Sequence, residues 1–241
     1  MYDDGNQIIL VIKNLVMKVR LIAFFLVLSI SVTAQFQAPN YDGISKVIKD
    51  KASPYFYPEL LSRYHDNDTA LSTQHYRILY YGYIYHENYD PYSLPLQFDS
   101  LNNILKKEIF TPNDYQELIE MEKRILMKFP FNLREVSLLA KAYEETGQME
   151  LAAAMHDKFR KITEAILSTG DGKTKETAMH VIMNSHEYDI LHYLGLEYNN
   201  ETAQTESTYE LLSVKPNKYN LEGIFFNIKK MFEHEARILE K

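Results

Sequence analysis

Three histidines, His180, His186 and His192, stand six residues apart in a chain of 241. On one continuous strand that spacing puts all three on one face, where they could bind a metal ion. On a helix, six residues turn the chain by about 240° and the rings diverge. The surrounding pattern changes from strand-like to helical between the first and the last of them. No shared metal site is therefore expected, and no metal or other cofactor is assigned. His86-Glu87 and His186-Glu187 adjoin, but neither extends to the H-E-x-x-H arrangement of a zinc protease. Gly170-Asp171-Gly172-Lys173-Thr174 has the end of a phosphate-binding loop without the first glycine or a preceding strand, so a plain turn is the better reading. No G-x-S-x-G nucleophile elbow occurs. There is no cysteine, which removes thiol nucleophiles, disulfides, Cys-bound zinc, iron–sulfur clusters and a lipid anchor on an N-terminal Cys. Glu117, Glu120, Glu122, Glu144 and Glu145 have spacings that read as solvated helix faces rather than an acid–base pair. A glycosidase's two carboxylates need not be close in sequence, so that class stays open, but the balance is against an enzyme.

Tyrosine is the compositional oddity. The chain holds 19 Tyr and no Trp, and the tract from Tyr76 to Tyr92 is dense in them. A helix with aromatic rings on every side is usually buried on every side, with its hydroxyls held by neighbours. That core reading is favoured. The functional alternative is an aromatic groove of Tyr76, Tyr80, Tyr83, Tyr89 and Tyr92 that stacks on a glycan or grips a small molecule.

The elements that must position these residues begin after a leader. Lys18 and Arg20 precede the apolar run Leu21–Val32, and Val32 and Ala34 occupy the two small-residue positions before a cut. Residues 17–34 thus read as a secretory signal peptide cleaved between Ala34 and Gln35. Residues 1–16 read as an upstream extension from a wrongly chosen start codon. The mature chain, 35–241, is expected to be periplasmic or secreted. The leader carries Asp3, Asp4, Lys13, Lys18 and Arg20, one net positive charge, so the whole chain's −7 becomes −8 without it. An acidic surface repels phosphate backbones, which argues against nucleic acid as a partner. Beyond Ala34 no apolar run approaches the roughly 20 residues of a membrane-spanning helix.

Periodicity then gives helices from about Asp42, from Pro58, and from Ser72 to His86. Thr69 lies in the loop between the last two. Asp68-Thr69-Ala70 has the acidic–hydroxyl–aliphatic form of a bacterial O-glycosylation site, making Thr69 a candidate acceptor. Phe98, Leu101, Leu105 and Ile109 form one helical stripe. Thr111 caps the next helix, with Pro112 at its first position and Asp114 in its first turn; Pro130 stops it. Helices over 132–146 and 149–167 follow, separated by Gly147. Past Lys173, residues 177–183 read as a strand, Tyr188–Leu196 as a short helix, and Tyr209–Val214 with Ile224–Ile228 as an antiparallel hairpin. Residues 229–241 form a last charged helix. The expected fold is α-rich α+β: helix pairs over 98–168, a small antiparallel β-sheet in 173–228, and the C-terminal helix, all in one domain.

Two resemblances accompany this reading. Leu139, Ala140, Tyr143, Gly147 and Ala152 are similar to the tetratricopeptide pattern of Leu, small, Tyr, Gly and Ala. Stepping back by its period of about 34 residues sets Leu105 on Leu139, Ile109 on Tyr143 and Leu118 on Ala152, so residues 98–130 and 131–168 would be two units. His156 stands where that family has an aromatic residue, and no proline closes the second unit. The resemblance implies a surface that binds a segment of another envelope protein. The phrases YFYPELLSRY (55–64), the tract 76–92 and GIFFNI (223–228) resemble an exported family of gut anaerobes catalogued as domain of unknown function 4919. That likeness implies an envelope location and attaches no catalytic residue.

Overall fold

Two helices in this chain start at reciprocal capping boxes. The Ser72 hydroxyl accepts from the His75 amide and the His75 ring returns to the Ser72 backbone, opening α3 (Thr73–Gly82). Thr111 and Asp114 make the same reciprocal box ahead of α5 (Pro112–Lys128). Thr111→Ala is expected to cost about 1 kcal/mol, seen as a lower urea midpoint at unchanged slope. In the computed structural model, residues 36–92, 98–201, 204–206 and 208–239 are described. The extension 1–16, the signal segment 17–34 and the cut between Ala34 and Gln35 lie outside them.

Chain order is α1 (Tyr41–Val47), α2 (Tyr57–His65), α3, a 3-10 turn (Tyr83–Tyr85), α4 (Phe98–Leu105), α5, α6 (Leu133–Glu145) and α7 (Met149–Leu167). Then come β1 (Met179–His180), α8 (Ser185–Tyr193), β2 (Gln204–Thr205), β3 (Tyr209–Ser213), β4 (Gly223–Asn227) and α9 (Lys229–Leu239). Gly147 turns α6 into α7 at φ +74°, where any side chain would be strained. Among the described residues no helix is long and apolar enough to cross a membrane.

Three expectations change. The stripe ending at Ile109 is shorter, because α4 stops at Leu105 and the chain is drawn into the Thr111 box. Ile109 is 83% exposed whereas Tyr143, its counterpart in the repeat register, is 6% exposed. The sheet is mixed rather than antiparallel, with strand order β1-β4-β3-β2. β3 and β4 form the expected hairpin, but β1 lies parallel to β4, with Met179 opposite Phe226. The strand expected over 177–183 shrinks to Met179–His180. Val181, Ile182 and Met183 are all buried in succession, which a strand with one solvated face cannot do.

Among the described residues the core has two apolar clusters. One gathers α1–α3, the end of α7, α8 and the sheet; the other fills the space between α4, α5, α6 and α7. Phe159 of α7 packs against both, so α7 joins them.

Candidate functional site

Two helices send a carboxyl inward. Glu122 follows Leu118 by four residues and precedes Ile125 by three, which places it on the apolar stripe of α5. It is 0% exposed, not on the solvated face expected for it, whereas Glu117, Glu120 and Glu145 are exposed. Glu144 is half-buried and meets the His156 ring at 2.7 Å. Glu135, in the first turn of α6, is also buried. Neither Glu122 oxygen, nor Oε2 of Glu135, meets an N–H or O–H donor from any other described residue. The two carboxyls are close enough to act on each other, and two like charges buried together favour a proton on one of them. Burial first, then the Glu135 charge, pushes Glu122 far above the carboxylate range. Burial also raises Glu135, while the Arg134 guanidinium works against it. The pair is therefore a unit that keeps a proton at neutral pH.

Asp189 of α8 continues this acidic wall. Burial, then the charge of Glu135, lifts its carboxyl to about 7 against the opposing effect of Arg134. Its Oδ2 is buried and meets no donor among the described residues. Asp189 opens on a cleft of about 410 Å³ lined also by Arg134, Ser137, Leu138, Phe159, His192 and Tyr193. That volume lies in the range of about 300–1,000 Å³ typical of ligand sites. α6 supplies Arg134, Ser137 and Leu138, α7 supplies Phe159, and α8 the rest. On α8, Asp189, His192 and Tyr193 follow the i, i+3, i+4 rule, so one stripe delivers a carboxyl, an imidazole and a phenol. This spacing was the available sequence signal for a site that histidine spacing alone had missed.

The three histidines are not brought together. His180 sits in β1, where burial and then the Arg77 charge lower it to about 4. His186 is buried between the Tyr80 hydroxyl at 2.7 Å and the Phe131 carbonyl at 2.8 Å. His192 is exposed at the cleft. Among the described residues no group of three His, Asp or Glu is arranged to hold a metal ion. The Gly170–Thr174 segment is a turn whose amides are already engaged. Gly172 N–H donates to Thr177 O, Lys173 N–H to Asp171 Oδ1 and Thr174 N–H to Thr177 Oγ1.

Four of the five groove tyrosines, Tyr76, Tyr80, Tyr83 and Tyr89, are buried, and Tyr92 is 45% exposed. The Tyr83 and Tyr89 hydroxyls donate to the Lys128 carbonyl at 3.0 Å and the Ile182 carbonyl at 2.8 Å. The five rings do not share one exposed face. Tyr89 alone of them edges a cleft of about 560 Å³, together with Tyr85, His86, Glu87, Arg237 and Ile238. Thr69 is exposed in the turn between α2 and α3.

Fold and site together define a helix-rich α+β protein with a small mixed sheet and a cleft where α8 faces α6. The chain belongs to the family described as Domain of unknown function (DUF4919), whose profile matches residues 42–237. No curated protein and no solved structure matches it.

Proposed function

We propose that the protein is exported, periplasmic or secreted after cleavage between Ala34 and Gln35. In that setting it binds a segment of another envelope protein without catalysis. The cleft beside α6 carries this reading. Arg134, Ser137 and Lys141 form one exposed stripe along α6, and the cleft opens beside its first turn. Tetratricopeptide-like pairing of α6 and α7 is part of the proposal. It is supported by buried Leu139, Ala140, Tyr143 and Ala152 and by Gly147 at positive φ between the helices. Small residues there let the helices approach and leave the outer stripe of α6 to a partner. The acidic balance of the chain supports a protein partner over a nucleic acid.

The test is a photo-crosslinking side chain at Ser137, expressed in the full chain in the native host, with one at Lys46 on α1 as control. A discrete adduct from Ser137 alone is expected. Equal adducts from both sites, or none from Ser137, would defeat the reading. N-terminal sequencing of the recovered protein should begin at Gln35.

A second reading, a glycan or small-molecule binder or hydrolase using the Tyr-rich region 76–92, has one observation in its favour. Tyr85 and Tyr89 border the cleft against α9, where the Tyr89 and His234 rings meet edge to face at 4.8 Å. Binding of a glycan array that is lost in Tyr85→Ala, with Ser137 adducts absent, would favour it.

A further inference from the structure

The α6–α8 cleft has a chemical preference, and this inference rests on its being a binding site. Its walls are of two kinds. Leu138, Phe159 and Tyr193 are apolar, and the Phe159 and Tyr193 rings form a tilted pair with centroids 6.1 Å apart. Between these walls and the interior lies Asp189, whose Oδ2 has no donor among the described residues. A buried carboxyl oxygen without a donor is costly until something supplies one. A ligand group that meets the part-exposed Asp189 carboxyl at the cleft must donate hydrogen bonds to it, tolerate aromatic faces, and bring its own apolar stem. A lysine side chain has all three: three N–H donors, attraction to ring faces, and a four-carbon stem.

Charge points the same way. Behind Asp189 stands the Glu122–Glu135 pair, and one guanidinium, Arg134, acts on all three carboxyls. With one proton held by the Glu122–Glu135 pair, the three carboxyls carry two negative charges when Asp189 is ionised, and one fixed cation leaves room for a second. The protein uses this chemistry internally: Lys158 Nζ lies 4.3 Å from the Tyr64 ring centroid and Lys161 Nζ lies 5.0 Å from that of Tyr76. We infer that the cleft takes the ammonium end of a lysine in a partner segment, held by Asp189 beside the Phe159–Tyr193 ring pair. The stem lies along Leu138.

The probe is the capped peptide acetyl-Gly-Lys-Gly-amide, titrated into isotope-labelled protein, with the norleucine peptide as an uncharged match. Saturable shifts at Asp189, His192 and Tyr193 are expected with the lysine peptide only. Asp189→Asn should weaken binding by about tenfold, and Tyr193→Ala, at an exposed ring, by several-fold with the fold intact. Equal binding of the norleucine peptide, no binding of either, or full affinity in Asp189→Asn would overturn the inference. Its failure is separable from that of the partner reading. Ser137 adducts without lysine selectivity would sink only the ammonium site, and lysine selectivity without adducts would sink only the partner.

Discussion

Between pH 4 and pH 8, Glu122→Gln is expected to gain about 3 kcal/mol of stability relative to the native chain. In the unfolded chain Glu122 releases its proton near 4.5, the ordinary value. In the folded chain, burial and the facing Glu135 keep the proton on. Above that pH the unfolded state therefore binds fewer protons than the folded state, and stability falls as pH rises. The slope is about 1.4 kcal/mol per pH unit, so 3 kcal/mol allows for relaxation and water entry at the buried pair. Glutamine mimics the protonated carboxyl and does not titrate, so the variant escapes this loss. The cost of seating its amide NH2 is the same at both pH values. The difference between the two pH values is thus the quantity to measure, by urea unfolding of both chains. Glu120→Gln, on the exposed face, is the control. A Glu122→Gln effect that is the same at pH 4 and pH 8 would show that the pair carries no charge penalty.

Glu122 also marks where the sequence was legible and was read too coarsely. Caps and breakers act locally, and they were readable: Ser72, Thr111 with Pro112 and Asp114, Pro130 and Gly147 bound their helices where their chemistry dictates. The β3–β4 hairpin followed from two alternating runs around a turn. The pairing of β1 with β4 did not, because a two-residue parallel strand has no periodicity of its own. Glu122 was readable in principle, since Leu118 and Ile125 flank it on one helical face. Burying a lone glutamate is costly, so a glutamate in a sequence reads as solvated. What offsets the cost is Glu135 on the next helix, a partner visible only after α5 and α6 pack. Asp189 is a similar case: a nine-residue helix hides its face until α6 and α7 meet it.

His186→Ala should remove about 3–5 kcal/mol, among the largest losses available to a single change in this protein. The ring is fully buried and joins three segments that are remote in sequence. Burial lowers it to about 4, so it is neutral at pH 7 and has one N–H to give. The Phe131 carbonyl can only accept, which fixes that proton on Nε2. Nδ1 then accepts from the Tyr80 hydroxyl, and that oxygen accepts from the Ile182 amide at 3.3 Å. One chain of bonds thus runs from the linker before α6, through α8, into the tyrosine helix and back to the segment after β1. Alanine leaves a cavity and unpairs both the Tyr80 hydroxyl and the Phe131 carbonyl. Tyr80→Phe should cost about 1–3 kcal/mol, and the double variant should cost less than the sum, because the two residues share a bond. The pH dependence gives an independent check. The unfolded histidine takes a proton below about 6.5 and the folded one does not, so the stability that His186 contributes is lost from there down toward pH 4, opposite in sign to the contribution of Glu122. His186→Ala should therefore cost less at pH 4 than at pH 7, and should leave the contributions of Glu122, Glu135 and His180, itself lowered to about 4, in place. If urea unfolding shows the same loss from His186→Ala at pH 7 and at pH 4, a neutral, doubly bonded His186 is not the source of that pH dependence.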